Sequence, residues 1–156
     1  MILKFSRIQM MKDRFKLVPA VALILEKDGK LLLQRRCNTG FCDDCYGLIG
    51  GGVDGNETVL QAAIREAKEE ADITIKPDDL NVVHVLHHRD RNNVESITFF
   101  IEVTDWQGEP IICEPRKCSD LGWFEIDKLP ENLVSYLRQS LENINKGTIY
   151  SEWGWE

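Results

Sequence analysis

Residues 58–71, TVLQAAIREAKEEA, restrict the fold more than any other part of the chain. At about 100° per residue, Leu60, Ala63, Ile64, Ala67 and Ala71 fall in one apolar arc, which predicts an amphipathic helix that must lie on another layer. Thr58 supplies its N-cap. Glu66, Glu69 and Glu70 stand at i, i+3 and i+4, so their carboxylates share the adjacent face. Each close pair of like charges costs roughly 1 kcal/mol in water and several times that at lower dielectric. A divalent cation reverses that sign, and clustered hard oxygens suit Mg²⁺, with Mn²⁺ as a substitute, rather than zinc. Taken alone, the helix also fits a solvated acidic face on which Arg65 pairs with Glu69 at i+4.

The segment just upstream favours the metal. Gly50, Gly51 and Gly52 lead through a short polar loop to Glu57 and then to the helix. Glycines let a backbone approach a ligand closely, so this loop can add a carbonyl oxygen to a site whose carboxylates follow it.

Around this unit, 18–26 reads as a buried aliphatic strand, and the Asp28–Gly29 turn leads into a second strand over 31–36. Further strands are predicted at 81–87, 95–103 and 121–125, with a last helix over 132–145 after Pro130. Five or six strands served by two helices predict a mixed β-sheet between helices, an α/β/α sandwich, rather than regular βαβ units. With no repeat or linker in 156 residues, a single domain over 1–156 is expected, with 1–14 as an extension or mobile arm.

The net charge of −7, from 26 acids and 19 bases, argues against a nucleic-acid polymer as partner. The protein can still bind an anionic small molecule where cations or a metal are placed locally. No apolar run is long enough to predict a membrane span, and the N-terminal residues are too broken by charge for a secretory core. Five cysteines without a leader point to reduced thiols and a cytoplasmic location. Cys42 and Cys45 have metal-ligand spacing, and Cys113 and Cys118 are available to complete a zinc site. A second CxxC or a partnering histidine spacing is missing, so the reading adopted is free thiols. His87, His88, Arg89 and Arg91 read as a solvated hairpin tip, with phosphate binding as the alternative. Trp153 and Trp155 read as a tail docked on the core or on a partner subunit.

Residues 51–73, GGVDGNETVLQAAIREAKEEADI, resemble the Nudix box: Gly51, Glu57, Arg65, Glu66, Glu69, Glu70 and Ile73 are all in register. At about one in fifteen for each of the first six, chance agreement at a given start is on the order of one in ten million. The sequence departs from the motif at Asp72, which replaces its second glycine, and at Ala67, Ile49 and Asn56. None of these changes removes a carboxylate, and Asp tolerates the left-handed conformation needed to close a helix.

The resemblance implies a Nudix α/β/α sandwich and a Mg²⁺-dependent hydrolase that cleaves a phosphoanhydride in a nucleoside diphosphate derivative. It implies that Glu66, Glu69 and Glu70 hold metal together with a carbonyl at Gly50 or Gly51. Glu57 is expected to brace the loop or act through water, and Arg65 to orient a neighbouring glutamate. The segment from Gly108 to Glu114 resembles the mutator-type (MutT-like) branch, making Glu114 a further metal ligand or base, with an exposed loop residue as the alternative. Glu69 and Glu114 are the two expected bases. In the same branch Arg36 corresponds to a nucleotide contact and Asn132 to a base contact, although helix capping explains Asn132 equally well. The substrate expected is a (deoxy)nucleoside triphosphate cut to monophosphate and pyrophosphate. The alternatives are ADP-ribose or a nucleotide sugar, and, from another class, a non-catalytic nucleotide-binding module. A homodimer is allowed.

Overall fold

The computed structural model describes residues 14–155, so most of the arm expected over 1–14 lies outside the described residues. Strand β1 (Val18–Lys27) turns through Asp28 and Gly29, both at positive φ, into β2 (Lys30–Arg36). Two successive left-handed residues give a hairpin turn whose twist matches its strands. β3 (Tyr46–Gly47) and helix α1 (Val59–Ala71) follow, then β4 (Leu80–Arg89) and β5 (Glu95–Val103). β6 (Cys118–Glu125), helix α2 (Leu137–Asn145) and β7 (Tyr150–Trp153) complete the described chain. Two short 3₁₀ turns, Pro77–Asp79 and Ile126–Lys128, lead into β4 and out of β6.

Among the described residues the strands form a mixed seven-stranded sheet in the order β3-β2-β1-β5-β4-β7, with β6 on β2. β1 runs parallel to β5, and β4 runs antiparallel to β5. β1 and β2 pair only next to their turn, at Glu26–Leu31 and Lys27–Lys30, and then splay apart. The glycine strip fills that gap: Val21 N donates to Gly51 O at 2.9 Å and Leu23 N to Ile49 O at 2.8 Å.

Alternation along β1 feeds two cores. Leu23 and Leu25 pack with Ala63, Ala67 and Ile73 on the α1 side, while Ala22 and Ile24 pack with Leu33, Phe100 and Leu137 on the α2 side. The result is the α/β/α sandwich expected. The buried stripe of α1 is rotated from the expected arc: Ala62 and Glu66 are buried, and Leu60 and Ile64 are only partly so. Small side chains bring the helix close to the sheet, which is why Ala67 is tolerated where a larger residue is usual.

Three expectations are corrected. The helix predicted over 132–145 begins only at Leu137, because Asn132 O accepts from Tyr46 N and Val134 N donates to Tyr46 O, each at 2.8 Å. Tertiary pairing with β3 overrides the local helical pattern. The strands predicted at 81–87 and 121–125 extend to Leu80–Arg89 and Cys118–Glu125. His88 is not on a solvated tip. It is 8% exposed, with Nε2 at 2.9 Å from Thr98 Oγ1, and the turn itself begins at Asp90.

Candidate active site

The site is assembled where the glycine strip crosses the middle of α1. Thr58 caps the helix with a full capping box, its hydroxyl accepting from Gln61 N while Gln61 Oε1 accepts from Thr58 N. Asp72 closes it in the left-handed conformation, φ 54°. Between these ends, Glu66, Glu69 and Glu70 take three different environments.

Glu70 is partly buried and faces the glycine strip. Its Oε2 accepts from Gly50 N at 2.9 Å and from Gln34 Nε2 at 2.8 Å. Burial pushes its carboxyl up to about 7; the Gly50 and Gln34 hydrogen bonds oppose the shift, and the charges of Glu66 and Glu114 add to it. Glu66 is also raised by burial, against the pull of Arg65, whose Nη1 donates to Glu66 Oε1 at 2.7 Å. Glu69 is the exposed member, its side chain 57% accessible.

Arg65 ties the loop to the helix. Its Nε and Nη2 fork onto Glu57 at 3.0 and 2.7 Å, and Nη2 also donates to Gly52 O at 2.9 Å. The fork lowers the Glu57 carboxyl and raises the guanidinium further. Glu57 Oε1 also accepts from Asp54 N at 2.7 Å, which braces the turn before α1.

The strip has no room for side chains at two positions. A Cβ on Gly50, whose φ is 150°, would lie 2.0 Å from Val21 O, and one on Gly51 would lie 2.5 Å from Glu66 Oε1. Gly51 O is committed to Val21 N, whereas Gly50 O takes no hydrogen bond among the described residues. Of the two carbonyls expected at the metal, that leaves Gly50 O as the free one.

The loop bearing Glu114 docks on the end of α1, with Ile111 N donating to Ala71 O at 3.1 Å and Cys113 N to Glu70 O at 3.3 Å. Its carboxylate pairs with Lys117 Nζ at 2.8 Å, and its charge reaches Glu66 and Glu70. Among the described residues no three acidic, histidine or cysteine side chains already converge as a closed metal cage. The donor set nevertheless fits a hard divalent cation: desolvated, mutually repelling carboxylates line a bare glycine backbone.

Of the two expected substrate contacts, Arg36 lines the cavity beside Gly50 to Gly52, whereas Asn132 is not part of that lining. Arg36 Nε donates to Phe41 O at 2.9 Å and its Nη2 to Thr39 Oγ1 at 3.1 Å, with its guanidinium over the Phe41 ring. Asn132 Nδ2 donates to Asp44 O at 2.6 Å, so it caps no helix. Both residues hold the loop between β2 and β3. Gln34 was missed. Its signal was a single polar residue after three leucines in β2, and it is 5% exposed. All five cysteines are unpaired.

The NUDIX domain family model matches residues 16–144, and the chain belongs to the Nudix hydrolases. It is therefore a hydrolase. An ADP-ribose pyrophosphatase from Methanocaldococcus jannaschii is 39% identical over 123 residues, covering 77% of this chain and 70% of that protein. A MutT NUDIX hydrolase from Burkholderia pseudomallei superposes with a TM-score of 0.76 at 31% identity, covering 82% of this chain and 98% of the other. A bifunctional NMN adenylyltransferase/ADP-ribose pyrophosphatase from Francisella tularensis, complexed with AMP and Mn ion, shares the fold at 19% identity and a TM-score of 0.66. It covers 94% of this chain and 46% of that chain. Among the described residues no helix is long and apolar enough to cross a membrane.

Proposed function

We propose that the protein hydrolyses a phosphoanhydride bond of a nucleoside diphosphate derivative, and that a (deoxy)nucleoside triphosphate is cut to monophosphate and pyrophosphate. The observation that carries this reading is the pair of desolvated carboxylates, the buried Glu66 and the partly buried Glu70, held against the backbone of Gly50 and Gly51. Arg65 pairs with Glu66 but leaves Glu70 without a cation, and Mg²⁺ or Mn²⁺ with a polyphosphate would make the crowded carboxylates favourable. When bound, the divalent ion neutralises charge on the phosphates and on the leaving group.

The chain's own residues have separate tasks in this scheme. Glu66, Glu70, Glu69 and Gly50 O would hold the ion, and Gln34 and Gly50 N fix the Glu70 carboxylate. Arg65 and Glu57 keep the loop at a set distance from α1. Glu69, the accessible carboxylate, takes the proton from the attacking water, with Glu114 as the other candidate base. The triphosphate reading is supported by the Glu114 loop docked at α1 and by the likeness to the MutT hydrolase along nearly that chain's whole length.

A second reading, ADP-ribose as substrate, is favoured by the name of the 39% identical relative. One panel separates them: product release from nucleoside triphosphates, ADP-ribose, dinucleoside polyphosphates and nucleotide sugars, with Mg²⁺ or Mn²⁺. Glu69→Gln is expected to lower turnover at least about a hundredfold. Turnover of no member of the panel, or equal turnover in the variant, would sink the mechanism.

A further inference from the structure

Cys42 to Cys45 form a single turn: Cys45 N donates to Cys42 O at 3.1 Å, and Cys42 and Asp44 take positive φ of 46° and 67°. A hydrogen-bonded turn holds its first and last Cα within about 7 Å. That range overlaps the separation of about 4.4–6.8 Å spanned by a disulfide. Both side chains face the same way: with Phe41 they line one cavity of about 410 Å³, and both pack on the core of the α2 side. Burial pushes the Cys45 thiol up, and the charge and hydrogen bonding of the Cys42 thiol beside it add to the shift.

The other three thiols are committed to carbonyls. Cys37 Sγ donates to Arg116 O at 3.6 Å, Cys118 Sγ to Asp120 O at 3.1 Å and Cys113 Sγ to Ile111 O at 3.7 Å. The frame around the Cys42–Cys45 turn is already fixed while its thiols are free. Asp44 N donates to Arg36 O at 2.8 Å and Arg36 N to Cys45 O at 2.9 Å, which ties the turn to the end of β2. The Asp43 carboxylate accepts from Thr39 N at 2.9 Å and Gly40 N at 3.1 Å, which ties it to the loop tip. Closing a bond between the two sulfurs therefore asks for side-chain rotation within the turn, not for movement of the strands.

We propose that Cys42 and Cys45 are a reversible dithiol–disulfide pair, a site of oxidative modification by low-molecular-weight disulfides such as oxidised glutathione. Cys42, at the loop tip, attacks one sulfur of the oxidant as a thiolate; the mixed disulfide forms and one small thiolate leaves. Cys45 Sγ then attacks Cys42 Sγ and expels the second, and the two protons given up by the cysteines end on the two departing thiols. The protein pair loses two electrons and the small disulfide gains them. In a reducing compartment the dithiol is the resting form and the disulfide the transient one. The new ring contains Asp43 and Asp44, so its closure stiffens the loop that carries Phe41, a residue that also lines the cavity beside Gly50 to Gly52.

The test is to equilibrate the full chain with oxidised glutathione, block the remaining thiols and locate them by peptide mass. The parent is expected to lose two of its five thiols, both from the peptide carrying Cys42 and Cys45, and a dithiol reductant is expected to restore them. Amide hydrogen exchange over residues 37–46 is expected to slow in the oxidised parent and to stay unchanged in Cys42→Ser treated alike. Cys45→Ser, expected to stop at the glutathione adduct on Cys42, decides if Cys42→Ser proves unstable. Five thiols kept by the parent, a persistent glutathione adduct, a Cys37–Cys118 bond in place of the expected one, or unchanged exchange on oxidation overturns the proposal. Neither readout needs turnover, so failure of the hydrolysis reading, seen with Glu69→Gln, remains a separate result.

Discussion

Arg65 joins the glycine loop, Glu57 and Glu66 through one guanidinium. Its planar fork meets Glu57 through two nitrogens while the same group reaches Gly52 O and Glu66. A lysine keeps the charge but offers one compact ammonium in place of a fork. Arg65→Lys is therefore expected to fold, and to lower turnover at least about tenfold by letting the loop and Glu66 drift. Steady-state kinetics beside a melting curve check this, and full activity would refute it. Glu57 and Arg65 were both visible in the sequence, because the motif fixes their spacing. Their direct pairing was not, since it spans eight residues across a turn whose path depends on Asn56 at φ 69°. Gln34 and Glu70, thirty-six residues apart, meet only once β2 lies beside α1.

At the scale of elements, β7 shows what local pattern cannot supply. It is four residues long and pairs in parallel with β4, from Val85–Tyr150 to His88–Trp153. So short a strand cannot stand alone, and it forms because β4 offers an edge. The pairing also serves His84, which is fully buried: Nδ1 lies 2.8 Å from Thr148 O and Nε2 2.9 Å from Ser151 Oγ. Ser151→Ala strands a buried ring nitrogen and is expected to cost about 1–3 kcal/mol, read as a lower urea midpoint. No loss would mean that β7 contributes no stability through this contact. The ends of α1, by contrast, were legible because its caps are local signals, whereas its buried stripe is turned from the expected arc towards Ala62 and Glu66 by packing on the sheet. The start of α2 was not legible, since the pairing of residues 132–134 with β3 displaced its first turn.

For the whole molecule, pH dependence follows from where histidine is placed. Burial holds His88 below its usual value, with the charge of Asp90 opposing the shift. A histidine that is harder to protonate folded than unfolded contributes stability above the unfolded value of about 6.5. That contribution is lost as the pH falls through the lower, folded value. Glu70, raised to about 7 by burial, works in the opposite direction and gains stability as the pH falls through that value. The His88 contribution is therefore read as a difference: the urea midpoint of His88→Gln relative to the parent is expected to rise from pH 7.5 to 5, and a constant difference would place no acid sensitivity at His88. The sequence showed this histidine but put it on a solvated tip, because the alternation that turns it inward is set by the register of β4 on β5.

The splayed hairpin has a further consequence. Because β1 and β2 part after two residue pairs, the glycine strip is laced to β1 as though it were another strand. The glycine strip and the carboxylates beside it are thus fastened to the middle of the sheet, whereas the 37–45 loop and the β4–β5 turn line a cavity outside that lacing. Changes in those two outer pieces leave both bonds between the strip and β1 in place.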